Sequence, residues 1–332
     1  MQRRSVASTK SPLRALPKAD LHLHAEAGPR LDALLARRGE RAAYDWAAWA
    51  SEIAAELPPG PARLMAMSQE LVPPEVDADP IHFGARIEQL FWDAAATDAI
   101  YVEVRFGRET VTREDFMTRF REAEHRVAEH VPHFRAEALA TLMPQRDWAR
   151  TELLVEACLR AAGEGLAGVD IIPEPYVEEA DWSPMTPLAE RLALAGLGVT
   201  VHAGEFSPAN LLAALELPGV TRIGHGIHAA SDPRLLERVN RAGVALECCI
   251  TSNVILGAVD TLESHPLKSL VESESRSPST RTIRSVSGPT FGGSTNWLRR
   301  SASHRPTSQR LLIPRSRSRS PRTSVVGTCW PP

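Results

Sequence analysis

Seven short apolar runs, each followed by a longer amphipathic stretch, constrain this chain more than any other feature of its sequence. The runs are Ala19–His24, Ile100–Phe106, Phe134–Leu142, Gly168–Ile172, Gly198–His202, Arg222–His225 and Val244–Ile250. Between them lie helical patterns such as Arg113–Glu129, Asp147–Ala162, Pro187–Ala195, Pro208–Leu215 and Pro233–Ala242. Several open with proline near the first turn, where a missing N–H costs nothing. This alternation predicts parallel strands joined by helices. Seven such units fall one short of a (β/α)8 TIM barrel, and the helix that should precede an eighth strand is visible at His265–Glu272. The stretch from Leu31 to Asp98 is too long for one unit. It is helical in pattern, rich in Ala and Trp, and broken by Pro58-Pro59 and Pro73-Pro74, so it reads as a helical insertion after strand one, over the barrel mouth.

The pattern stops at Glu272. Before Ser275 there are 27 basic and 41 acidic residues, and after it 11 basic and no acidic ones, a split hidden by the net charge of −3. From Ser273 to Pro332 the chain carries 14 Ser and 11 Arg, including the run Arg315 to Ser320. That composition predicts disorder and an eighth strand that is missing or corrupted. Three segments follow: a flexible arm at 1–15, a barrel at 16–272 and an Arg/Ser-rich tail at 273–332. No apolar run approaches the roughly 18 residues that span a bilayer, so no membrane partner is expected. Cys158, Cys248, Cys249 and Cys329 show no metal-knuckle spacing, and a reducing cytoplasm is the expected setting. Nothing in the sequence specifies an oligomeric state.

Histidines sit where the strands end. His22 and His24 are two apart in one strand, so both rings project from the same face. His202 ends the fifth strand, and Gly204 lets the backbone turn before Glu205. Alone, each of these histidines reads equally well as a packed or surface residue. Together, three imidazoles at strand ends of one barrel face suit a zinc ion with a position left for water, which points to a metal-dependent hydrolase. Glu205 is placed to act as an acid or base, and His225, between two glycines, to orient the attacking oxygen. His228 reads as a loop residue or a neighbour of the ligands. His82, His125, His130, His133, His265 and His304 read as surface residues.

Five segments in order carry a resemblance that covers residues 16 to 272. Lys18 to His24, Tyr101 to Phe106, Val201 to Glu205, Arg222 to Gly226 and Glu247 to Asn253 resemble the successive motifs of the adenosine/adenine deaminase family of the amidohydrolase superfamily. The resemblance implies a zinc-containing barrel that replaces a purine 6-amino group with oxygen, with one zinc per chain. It implies zinc ligation by His22, His24 and His202, protonation of the purine ring by Glu205, and positioning of the hydroxide by His225. It also implies that Glu26, Asp170 and Gly204 lie at the substrate, a small purine nucleoside or base. Three departures stand out. Ala25-Glu26-Ala27 follows the second histidine where the family has Leu, an acidic residue and Gly, and Glu in the acidic place leans toward adenine or a modified nucleoside. Pro173 falls where a family Gly donates its N–H to the purine, and proline cannot donate. That keeps a related amidohydrolase acting on another amide or amidine as the alternative. Finally, the family's Asn-Thr-Asp-Asp-Pro motif, which holds the last metal ligand, is absent, so the chain as written is expected to be inactive.

A single-base deletion near Ser273 explains the break. When the reading window slides back by one base, Thr280 to Arg284 can read Asn-Thr-Asp-Asp-Pro, and Ser275 to Ser279 can read Val-Pro-Val-Thr-Leu, an apolar strand. Phe291 to Trp297 can read Ile-Arg-Arg-Glu-Tyr-Glu-Leu, a helix start. An alternative from another class treats the tail as a basic arm that binds nucleic acid on an inactive barrel; out-of-frame translation is the preferred account.

Overall fold

The computed structural model describes residues 17–27, 46–70, 80–107, 109–144, 147–274 and 283–286. Eight parallel strands follow one another in chain order around the sheet. They are β1 (Lys18–His24), β2 (Ala99–Phe106), β3 (Arg135–Leu142), β4 (Gly168–Ile171), β5 (Gly198–Ala203), β6 (Val220–His225), β7 (Ala245–Cys248) and β8 (Ile283–Val286). β8 ladders onto β7 and comes alongside β1, so the sheet curls into a nearly closed barrel. The helices, in chain order, are α1 (Trp46–Glu56), α2 (Pro61–Glu70), α3 (Pro80–Ala95), α4 (Phe116–Ala128), α5 (Trp148–Ala162), α6 (Met185–Leu194), α7 (Leu211–Glu216), α8 (Pro233–Ala242), α9 (Ile250–Ile255) and α10 (Leu267–Glu274). Among the described residues, no helix is long and apolar enough to cross a membrane.

The strand alternation explains the layering. In β2 the outward residues Val102, Val104 and Phe106 are buried against helices, and Phe106 meets Phe116 and Phe120 of α4 at ring-centroid distances of 5.0 and 5.8 Å. Burial of each such side chain stabilises the fold by about 1.5–3 kcal/mol. Asp232 and Pro233 show how local sequence starts a helix: the Asp232 carboxylate accepts the Arg234 N–H at 2.8 Å, while Pro233 occupies the first turn of α8.

Three sequence expectations are corrected. The insertion ends earlier than Asp98, because α3 buries Phe83, Ile87, Leu90 and Phe91 in the barrel's own core beside α4. Their spacing is that of one helix face. Only α1 and α2 form the insertion among the described residues, and they rest on the loop after β7. There the Gly60 N–H bonds Leu256 O at 2.8 Å and the Arg63 guanidinium bonds Ile255 O at 3.1 Å. Second, the seventh run stops being a strand at Cys248, and Ile250 opens α9. Third, the segment whose composition predicts disorder supplies a short eighth strand of four residues. A sheet edge offers unpaired N–H and C=O groups that pair with main chain whatever its side chains, and four residues of the tail occupy that edge. The arm at 1–15, the neighbouring-frame strand at 275–279 and the tail from 287 onward lie outside the described residues, as does Cys329.

The barrel interior is polar. Half-buried Tyr101 and Glu103 and buried Arg105 alternate with the outward β2 residues, and Asp170 of β4, Thr200 of β5 and Glu247 of β7 are further buried polar groups. Barrels of this kind more often fill these layers with Val, Ile and Leu.

Candidate metal centre and active site

At the C-terminal end of the strands three histidines converge. His22 Nε2 lies 3.0 Å from His202 Nε2, and His24 Nε2 lies 3.2 Å from each of them. An irregularity in β1 aims the first ring. The β1–β2 register shifts between Asp20 and Leu23, and the freed His22 N–H is taken by Asp20 Oδ1 at 3.1 Å. β6 leaves room for the rings, since a Cβ on Gly224 would stand 2.9 Å from His22 Cε1 and 3.3 Å from the His202 ring.

The other ring nitrogens of His22 and His202 are already engaged. His22 Nδ1 lies 2.9 Å from Glu247 Oε2, and His202 Nδ1 lies 2.9 Å from Asp170 Oδ1. One guanidinium ties both carboxylates together. Arg105 donates through Nε to Asp170 Oδ2 at 2.8 Å, through Nη2 to Glu247 Oε2 and through Nη1 to Leu21 O at 2.7 Å. Both carboxylate oxygens accept, so His22 and His202 carry their protons on Nδ1 and face each other with bare Nε2 lone pairs. Lone pairs 3.0 Å apart repel unless a cation lies between them. The donor set, three converging imidazoles of which His22 and His202 are oriented by carboxylates behind them, therefore fits a zinc ion. Burial, and then the Arg105 charge, holds His22 well below its ordinary pKa, and burial pushes His24 down to about 3, so protons compete weakly with a metal at these rings. A second group, His22, His225 and Cys249, also lies within ligand reach. It shares His22, whose one bare nitrogen already faces His24 and His202.

Glu205 and His225 stand beside this group. Glu205 is 2 % exposed; it accepts the Tyr176 hydroxyl at 2.8 Å on Oε2 and the Asn253 amide at 3.4 Å on Oε1. Burial raises its pKa to about 7 against the opposing pull of His202, Tyr176 and Asn253. His225 adopts a left-handed backbone with φ 63° at the end of β6, which brings its ring centroid to 4.9 Å from that of His22. Such a conformation is costly for a non-glycine residue and marks a ring held in place by its surroundings.

Of the residues expected at the substrate, each is placed differently. Glu26 lies in the turn Ala25–Ala27 after β1 and accepts the Gly107 N–H at 2.8 Å. Gly204 has φ 72°, its carbonyl accepts the His228 N–H at 2.9 Å, and a Cβ there would meet Gly226 Cα at 3.0 Å, so the two turns touch. Asp170 departs from expectation. It is fully buried beneath the histidines, and Arg105 and His202 hold it ionised despite burial. Its carboxylate oxygens bond the His202 ring and Arg105. His265, expected on the surface, is 3 % exposed and bonds Asn253. Arg105, Glu247 and Asn253 also belong to the site and lie within the segments that carry the resemblance, whereas Tyr176 lies outside them and no motif marks it.

Replacing Arg105 with Gln leaves Asp170 and Glu247 buried without their shared cation. Urea unfolding is expected to show a loss of about 3–5 kcal/mol, and chelator competition a zinc affinity about 10–100-fold weaker. Unchanged affinity would remove Arg105 from the support of the ligands.

Comparison with known proteins gives a consistent set. A family model described as adenosine deaminase matches residues 86–280, more than half of the chain. The chain is 46% identical over 79 residues to an adenosine deaminase of Vibrio cholerae, a match covering 24% of each protein. It is 28% identical over 195 residues to an adenosine deaminase of Clostridium kluyveri, covering 56% of this chain and 54% of that one. The chain thus spans about a quarter to a half of the length of these relatives. Among solved structures, the adenine deaminase of Arthrobacter aurescens superposes with a TM-score of 0.62 at 24% identity, over 82% of both chains. The N6-mAMP deaminase of Arabidopsis gives 0.58 at 19%, again over 82% of both. An amidohydrolase of Burkholderia ambifaria with bound zinc gives 0.58 at 20%, over 85% of this chain and 79% of that one. At these identities the structural matches speak to the fold.

Proposed function

The chain belongs to the adenosine deaminase family, and we propose that its barrel is built to replace the 6-amino group of an adenine-type purine with oxygen, releasing ammonia. The observation that carries this reading is the convergence of the Nε2 atoms of His22, His24 and His202 beside a carboxyl group poised near neutrality. A zinc ion held by His22, His24 and His202 would lower the pKa of a bound water toward neutrality. Glu205, protonated over much of the neutral range, gives its proton to the ring nitrogen next to the attacked carbon, which makes that carbon more electrophilic. The Tyr176 hydroxyl and the Asn253 amide fix its carboxyl plane. His225 holds the attacking oxygen. Asp170 and Glu247 keep the ligand rings in the tautomer that offers Nε2.

Glu26 favours adenine or a modified nucleoside as substrate. Pro173, buried just beyond β4, has no N–H for a purine ring nitrogen, and this favours the second reading, hydrolysis of another amidine by the same groups. A reducing cytoplasm is the proposed setting, and the buried thiols of Cys158, Cys248 and Cys249 suit it. As written, the chain lacks the family's carboxylate ligand, and we infer that its turnover is nearly absent for that reason.

A panel of adenine, adenosine and N6-substituted purines, read by ammonia release from the frame-restored protein, tests the substrate class. On the preferred substrate, kcat/KM should be level in mild acid. It should fall about tenfold per pH unit above a midpoint at or below about 7, as Glu205 loses its proton. A bound cation nearby moves that midpoint down, never up. Ammonia from none of the purines, with turnover of a different amidine, would favour the second reading.

A further inference from the structure

A run of hydrogen bonds enters the site from behind, through α10 and α9, and its polarity follows from one end. The Leu267 N–H reaches His265 Nδ1 at 3.1 Å. A backbone N–H only donates, so that nitrogen accepts and the His265 proton sits on Nε2. His265 Nε2 lies 3.1 Å from Asn253 Oδ1, and the opposite amide orientation would set two donors face to face. Asn253 Nδ2 therefore points its two hydrogens at His225 Nδ1, 3.1 Å away, and at Glu205 Oε1, 3.4 Å away. Both protons of the amide are used. His225 Nδ1 also lies 3.4 Å from Glu205 Oε1, but the nearer Asn253 Nδ2 can only donate, so Nδ1 accepts and Nε2 carries the proton.

The relay is rigid and dry. Asn253, His265 and His225 are 0, 3 and 4 % exposed. The Asn253 carbonyl accepts from the amides of Ala258 at 2.8 Å and Val259 at 3.2 Å, and its own N–H bonds Cys249 O at 2.8 Å. Turning the amide over would break all three of its side-chain hydrogen bonds and leave buried polar groups unsatisfied.

We propose that Asn253 and His265 are positioning residues that hold His225 as the Nε2–H tautomer, so that it presents a hydrogen-bond donor and not a proton acceptor to the attacking oxygen. What His225 faces rests on the reading given under Proposed function; the tautomer does not. A donor here stabilises charge as it develops on that oxygen, while proton transfer is left to Glu205. The same Asn253 amide bonds both groups, so one side chain sets the division of labour between them.

Long-range proton–nitrogen spectra of the 15N-labelled, metal-free 332-residue chain read the tautomers directly, with each ring assigned by a single histidine substitution. The expected result is a pyrrole-type Nε2 and a pyridine-type Nδ1 for both His225 and His265. Asn253→Asp replaces the donor with an acceptor and should move the His225 proton to Nδ1 or leave that ring doubly protonated. His265→Gln can still donate to Asn253 and should keep the parent His225 pattern, whereas His265→Phe should lose it. A parent His225 protonated on Nδ1 overturns the proposal, as does a His225 pattern unmoved by both Asn253→Asp and His265→Phe. If Asn253→Asp does not fold, the Phe and Gln variants decide: identical His225 signals in the two would exclude the relay. The outcomes separate from those for function. Deamination by a frame-restored protein whose His225 carries Nδ1–H overturns this inference alone, and an Nε2–H tautomer in a frame-restored protein without turnover overturns only the function.

Discussion

Glu205→Gln in the frame-restored protein is expected to keep its zinc and lose about 10²–10⁴-fold in kcat, the usual contribution of a general acid. The geometry separates the two properties. Glu205 is not among the residues that converge as ligands, and its oxygens are spent on Tyr176 and Asn253. Gln preserves the shape and accepts the Tyr176 hydroxyl through its carbonyl, but has no acidic proton to give. Burial, which raises the Glu205 pKa to about 7, is what makes the carboxyl useful as a donor near neutrality. The measurement is kcat with zinc content determined on the same preparation. Loss of metal together with activity would make Glu205 a ligand and overturn the assignment.

Restoring the reading frame is expected to have the largest effect of all. One base inserted into the coding sequence near codon 273 should turn a chain with no detectable deamination into an enzyme with kcat in the ordinary range, on the order of 10 s⁻¹. The change supplies two things. The slid frame puts an apolar strand at positions 275 to 279, where β7 and β1 leave a slot that four residues, Ile283–Val286, now occupy. It also ends that strand in a motif with adjacent aspartates, and a carboxylate at the mouth would complete a three-histidine set. Sequencing the codons comes first. If they do not spell that motif in the neighbouring frame, the frameshift account is wrong. If they do and the restored protein remains inert, the lost ligand is not what disables the chain.

What could be read in the sequence divides along physical lines. Strands β1 to β7 were legible because each is a short apolar run bounded by turns, and local periodicity reports burial directly. His22, His24 and His202 were legible because a strand end fixes which way a ring points. The residues behind them were not. Glu247 meets His22 across 225 positions and Arg105 meets Asp170 across 65, and no local pattern encodes a contact made by barrel closure. Asp170 looked like a substrate group because its motif resembled one, while its partners lay on β2 and β5. His265 read as a surface residue because a lone histidine beside proline carries no burial signal. α3 merged with the insertion because both are helical, and only its Phe83, Ile87, Leu90 and Phe91 face separates it. β8 escaped because edge pairing is a property of the sheet that receives a strand and not of the segment that supplies it.

Whether the three imidazoles hold a metal is measured most directly by zinc analysis of the purified 332-residue chain and of its His202→Ala variant. About one zinc per parent chain is predicted after dialysis against a weak chelator, with most of it lost in the variant while both remain folded. Equal zinc in the two, or none in a folded parent supplied with zinc, would contradict the site.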